Sequence, residues 1–362
     1  MVQKDSGPLP HAGSGTQATP EGRALVATAD GLAIQTADGA SVVAADLILG
    51  DIGAGRTLSV SGNLVVAGSV GRGAEVRAGG FLVVVGPVFS ARVEAMGSLV
   101  LRGGCNASTA TAGANRAGYE VAAERVRALA ETLGRLLAVL EQLKAHPAFR
   151  TLDLEQGLRP LLEILVERTF AGFAFEVAEA LRRLRPVVAA GPPVAKLADM
   201  LEHRFEGGAF LHASGGLFEQ AHAVATEAAA ILAGQANARF PLRVTGGAVL
   251  ESTLKASGDI DIRSGDCRNA QLTSGTTVRV SGRLLGGMVS AQSAIQARTA
   301  GADAVLQVPG TGVIRLTGVH GSLTFRIGQV EKRVAGVVGP SIIRLVGDQF
   351  VIKPDTEGLF DA

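Results

Sequence analysis

The chain has 362 residues, 34 basic and 33 acidic side chains, a formal charge of +1, and 4% aromatics with one tyrosine and no tryptophan. Such balance excludes the basic signature of a nucleic-acid binder or of a protein drawn to an anionic membrane surface. Scarce aromatics leave little material for base-stacking platforms or aromatic cofactor pockets, while 47% apolar content suffices for one large core or two ordinary ones.

Residues 1–23 are rich in Gly, Pro, Ser and Thr without periodicity and read as a disordered tail. The opening MVQKDSGPLPHAGSG has no apolar core of a signal peptide, and no apolar run reaches the roughly 18 residues that span a bilayer. Two cysteines, Cys105 and Cys267, make no disulfide framework, so a soluble, reducing, cytoplasmic setting is expected. From Ala24 to Ala45, short apolar alternations broken by Asp30-Gly31 and Asp38-Gly39 predict one or two hairpins.

A repeat follows. GNLVVAGSVGRGAEVRAG begins at Gly62, and GFLVVVGPVFSARVEAMG begins at Gly80. Apolar residues recur at Leu64, Val70, Val76, Leu82 and Val88, and after a slip of one residue at Val93 and Leu99. Three such hexads make one coil, so Leu64, Leu82 and Leu99 are expected to stack. The pattern returns at Leu254, Leu272 and Val289, at Ile260, Val278 and Ile295, and at Ile262, Val280 and Ala297.

Matching offsets in two distant segments predict a solenoid rather than an antiparallel meander. Short strands would pair in parallel between coils, around a ladder of Val, Ile and Leu, with glycine at the tight corners. The expected fold is therefore a mainly β solenoid, a single-stranded right-handed β-helix. Its first segment with an N-terminal cap occupies 24–113, its second segment 241–328, and a C-terminal β cap and tail 329–362.

Between the segments, over 114–240, the period becomes helical. Ala122, Val126, Leu129, Leu133, Leu136, Leu140 and Leu143 alternate spacings of four and three, the seam of a coiled coil. His146-Pro147 ends that helix. A second helix is expected from about Asp153 to Arg185, and shorter ones over Val194–Phe205 and Leu217–Leu232. The large α-helical insertion is expected to form a hairpin arm, with Val126, Leu129, Leu133, Leu136, Leu140 and Leu143 as its contact seam, within the chain or with a partner.

Glycine-rich coils such as SGNLVVAGSVGRGAEVRAGGFLVVVG, interrupted by a coiled-coil insertion, resemble the flagellar assembly protein A family, as does VHGSLTFRIGQVEKRVAGVVGPSIIRLVGDQFVI. The coils are also similar to those of bactofilin cytoskeletal polymers, which lack the insertion. The resemblance covers about Val43 to Ile352 and implies a β-helical body, a helical section and a link to flagellar assembly or polar localisation. The region ahead of the solenoid is too short for that family's full leading domain, and no site residues carry over.

Gly50-Asp51-Ile52-Gly53-Ala54-Gly55-Arg56-Thr57 is one residue from a phosphate-binding loop, but arginine replaces the lysine and a strand is expected next, so it reads as a solenoid corner. The hexad rhythm fits hexapeptide-repeat acyltransferases, which need a histidine as general base. No histidine falls within the coils at 47–104 or 242–318; His320 lies just beyond, and His203, His212 and His222 belong to the helical region at spacings unsuited to zinc. Asp259 and Asp261 share one side of a strand, where a solvated face competes with cation binding or the paired carboxylates of a carbohydrate-active solenoid. Cys105 and Cys267 recur at similar points of the two segments, each followed by a corner asparagine, and read as buried small side chains.

The expected function is a non-catalytic structural or assembly scaffold that binds other proteins, copies of itself included. No cofactor, metal, nucleic acid or membrane insertion is expected. The enzymatic alternative is a left-handed hexapeptide-repeat acyltransferase using a coenzyme A thioester.

Overall fold

Short β-branched runs between glycines have room for two to four extended residues before the chain must turn, and the resulting strands gain their hydrogen bonds from the same run one coil later. The computed structural model describes residues 16–18, 25–27, 32–36, 39–43, 45–146, 165–190, 192–205, 215–347 and 349–355. Its contacts divide the chain into two units, Met1–Ala112 with Phe240–Ala362, and Gly113–Arg239.

The first unit is mostly parallel β and solenoid-like. One ladder runs through Asp46–Ile48, Leu64–Val66, Leu82–Val84, Leu99–Leu101, Leu242–Val244 and Ile260–Ile262. A second runs through Val88–Phe89, Cys105–Asn106, Val249–Leu250 and Cys267–Arg268, preceded by the single bridges Ile52 to Val70 and Val70 to Val88. The third stacks Thr57–Val60, Glu75–Ala78, Arg92–Ala95, Thr109–Ala112, Thr253–Ala256, Gln271–Ser274 and Met288–Ala291. Later coils merge strands around the corner, as in Thr277–Leu285 and Val313–Ile327.

The stacks expected from spacing are present: Leu64 on Leu82 on Leu99, Leu254 on Leu272 on Val289, and Ile260 on Val278 on Ile295. All nine of these side chains are almost wholly buried. At about 1.5–3 kcal/mol for each buried Val, Leu or Ile, these apolar columns, on the first and third ladders, are the main stabiliser of the unit.

Leu99 pairs directly with Leu242, Cys105 with Val249 and Ala110 with Leu254. The two segments read from sequence are therefore one continuous set of ladders. The chain leaves the third ladder at Ala112 and rejoins the first at Leu242, at a corner every coil possesses.

The last coil is closed off. Val330–Val338 runs back antiparallel along Val319–Ile327, and Ser341–Val346 pairs antiparallel with Ile314–Leu316 and then with Gln349–Pro354. Near the N-terminus two hairpins form, Leu32–Thr36 with Gly39–Val43 and Thr16–Ala18 with Leu25–Ala27. Thr16–Ala18 lies within residues 1–23, read from composition as a disordered tail, and takes its backbone bonds from an apolar partner strand; the rest of that stretch lies outside the described residues.

In the second unit, α1 (Arg116–Ala145) ends before His146, whose extended backbone is the conformation demanded of a residue before proline. The continuous helix expected from Asp153 to Arg185 is not what forms. Residues 147–164 lie outside the described residues. Leu165–Thr169 is a π turn, α2 (Phe173–Leu184) follows a turn, and Arg185–Ala190 is a 3-10 segment. The reason is visible in the spacing: Leu165 and Phe170 are five apart, and the Phe170 N–H donates to the Leu165 carbonyl at 2.9 Å. α3 (Pro192–Met200) runs into a π turn at Leu201–Phe205, and α4 (Gly215–Asn237) extends beyond the range read from sequence. α1 packs chiefly on α4 and α2. Phe205 stands edge-on to Phe173 and to Phe218, with ring centroids 6.2 and 5.7 Å apart.

Candidate functional site

The outward side of the first ladder changes character along its length. Leu47, Val65, Val83 and Val100 occupy one column on successive coils. The column continues as Arg243, Asp261, Arg279, Gln296 and Arg315. Its apolar end is the first coil, where Leu47 is 57% and Leu49 81% exposed. Val85 and Phe89 on the third coil are also exposed. In the charged half, Asp261 pairs with Arg263 at 2.9 Å and the Arg279 Nε donates to Gln296.

The first coil also carries an open edge. Among the described residues, Asp46–Ile48 and Thr57–Val60 pair only with the second coil. Among the described residues no strand pairs on their other side, the template for adding one. The last coil is covered by antiparallel strands, whose own outer edges, at Val330–Val338 and Gln349–Pro354, pair with nothing further among the described residues.

The positions considered for catalysis or ligands are mostly occupied by structural bonds. Asp51, in the phosphate-loop-like stretch, accepts from the Ser69 N–H at 2.6 Å and hydroxyl at 2.9 Å, which hold its carboxyl below the usual range. Thr57–Val60 then continues as strand, so no helix N-terminus faces that turn. Asp259 accepts from the Thr276 hydroxyl and the Thr277 N–H, one coil on. His320 is exposed on the long strand beside Gly301. His203 contacts Asp199 through Nδ1, at 3.0 Å to the carbonyl and 3.1 Å to Oδ1, while His222 faces Gly134 of α1. His212 lies outside the described residues. No group of three or more metal-ligating side chains occurs among the described residues.

Cys105 and Cys267 share one inward column, separated by Val249. Burial raises both thiols, Cys267 to about 12 with the Asp266 charge adding to it. Both are protonated at neutral pH and so poorly nucleophilic.

The heptad seam packs inside the helical unit. Val126, Leu129, Leu133, Leu136 and Leu140 are buried, in one cluster with Phe173, Leu181, Phe205 and Phe218; Leu143 is half-buried at the helix end. The seam brings these residues together, with partners from α2, α4 and the Leu201–Phe205 turn. The outward apolar column was missed by the sequence reading, although the alternate residues in LVV at Leu64 and LVVV at Leu82 signal it: strands apolar on both faces have two faces to cover.

No protein-family model matches the chain, and neither a curated protein nor a solved structure does. No helix among the described residues is long and apolar enough to cross a membrane.

Proposed function

We propose that this protein is a non-catalytic structural or assembly scaffold that works through protein–protein contacts, in flagellar assembly or polar localisation as its resemblance implies. One observation carries the reading: among the described residues the first coil pairs on one side only, and it bears the exposed Leu47 and Leu49. The occupant proposed for that edge is a second copy. Two first coils meeting about a two-fold axis pair edge to edge and join their apolar columns, so the buried area exceeds what either patch offers alone. A two-fold contact uses this edge on both copies, so association through it stops at two.

The test is molar mass by light scattering across concentration. The mass is expected to double as concentration rises, and Leu47→Lys with Leu49→Lys to hold the chain monomeric. A strict monomer at every concentration removes the self-assembly part of the proposal.

A left-handed hexapeptide-repeat acyltransferase is the second reading, with His320 as its one candidate base. The proposed handedness is right-handed, which counts against that class. Saturable binding of coenzyme A, lost in His320→Ala, would decide for it.

A further inference from the structure

Between α1 and the turn leading into α2 lies a cleft of about 470 Å³. Its walls include Thr132, Arg135 and Val139 from α1, and Phe170, Phe173 and Glu176 from the other side. That volume falls within the roughly 300–1,000 Å³ typical of small-ligand sites.

Glu176 is the unusual member. Its Oε2 is buried and has no hydrogen-bond partner, the one such side-chain oxygen among the described residues. A buried carboxylate oxygen without a donor has given up its hydration and gained nothing in return, so such a group calls for an explanation. The nearest conventional remedy is not used. Arg135 lines the same cleft, yet its Nη2 donates at 2.9 Å to the Thr132 hydroxyl on its own helix, and no ion pair joins it to Glu176. The rest of the wall is mainly apolar, from Val139, Phe170 and Phe173, with Thr169 as a further polar member.

We propose that this cleft binds a small molecule carrying a primary ammonium group on an apolar body, with Glu176 accepting from the ammonium. An ammonium supplies the missing donors and the opposite charge together, and the aromatic and aliphatic wall takes the body. The exposed Arg135 is placed to accept a carboxylate if the ligand carries one. Ligand binding here does not depend on how the first coil of the solenoid is used.

Calorimetric titration of the full chain with isopentylamine and with leucine tests this, the two probes sharing an ammonium and branched body but differing in the carboxylate. Saturable binding of at least one probe is expected, weakened about tenfold or more in Glu176→Gln, as loss of a charge-assisted hydrogen bond implies. Val139→Phe, which fills the cleft without changing charge, is expected to weaken it too. Leucine binding more tightly than the amine assigns Arg135 to the carboxylate; the reverse order assigns the site to simple amines. The melting temperature of Glu176→Gln is expected to equal or exceed that of the parent, showing that the variant folds. No saturable binding of either probe at millimolar concentration, or unchanged affinity in Glu176→Gln, overturns the proposal.

Discussion

At one corner of the solenoid, Ser90, Ala107, Glu251 and Asn269 lie one above another with φ of 46°, 46°, 49° and 49°, and Gly286 continues the column at 71°. Glycine is the residue expected where φ is positive, yet most of these are not glycine. The stack overrides local preference because each is held by its neighbour: the Ala107 N–H donates to Leu250, and the Glu251 N–H to Arg268, both at 2.9 Å. A left-handed residue other than glycine costs about 1–2 kcal/mol, partly offset by the entropy glycine loses on folding. Glu251→Gly is therefore expected to raise unfolding stability by about 0.5–1 kcal/mol, read from the urea midpoint. The opposite holds at Gly86, where an added Cβ would sit 2.6 Å from the Gly68 carbonyl carbon. Backbone cannot yield there, and Gly86→Ala is expected to destabilise by about 1–3 kcal/mol, in the range of overpacking.

Between elements, the clearest electrostatic tie is Asp266 with Arg283 of the following coil, at 2.6 Å. Its hydrogen bonds bring the Asp266 carboxyl to about 2, from an ordinary 3.8. A depressed carboxyl contributes stability above its unfolded pKa and loses it as pH falls from about 4 towards 2. The pair is near the surface, so the loss is expected to stay within about 1 kcal/mol. Acid unfolding of Asp266→Asn should lack that increment, compared by urea titration at pH 5 and pH 2. The helical seam is a larger effect. Leu133 and Leu136 are fully buried, and their cluster contains no solenoid residue. Replacing both by Asp removes two core side chains, each worth about 2–5 kcal/mol, and buries charge in their place. The helical circular dichroism signal is expected to collapse while the β signal persists; joint collapse would mean that the solenoid cannot stand without the insertion.

Across the whole molecule, the asymmetry of the solenoid's ends sets the expected assembly. Residues 330–346 cover the last coil with antiparallel strands, while among the described residues the first coil pairs on one side only and exposes Leu47 and Leu49. A two-copy limit in light scattering, abolished by lysine at both leucines, is the outcome that follows.

The repeat was readable because an inward position must be apolar in every coil: Leu64, Leu82 and Leu99 declare the period without any knowledge of the corners. The helix over Arg116–Ala145 was readable for the same reason, since its seam is a local periodicity closed by a proline. The break before α2 was hidden in a single spacing of five, from Leu165 to Phe170, which only a π turn reconciles with one buried stripe. The cleft at Glu176 was not readable, because a lone glutamate on a helix reads as a solvated side chain until packing removes its partners.

Amino-acid order alone thus determined the coil length, the apolar ladder and the place where β periodicity gives way to helix, all of which repeat over distances the chain itself spans. Tertiary structure decided that Leu99 meets Leu242, that non-glycine residues turn the corner at Ser90, Ala107 and Glu251, and that antiparallel strands cover the last coil. These depend on backbone hydrogen bonds between residues far apart in sequence, and such bonds carry no side-chain signature.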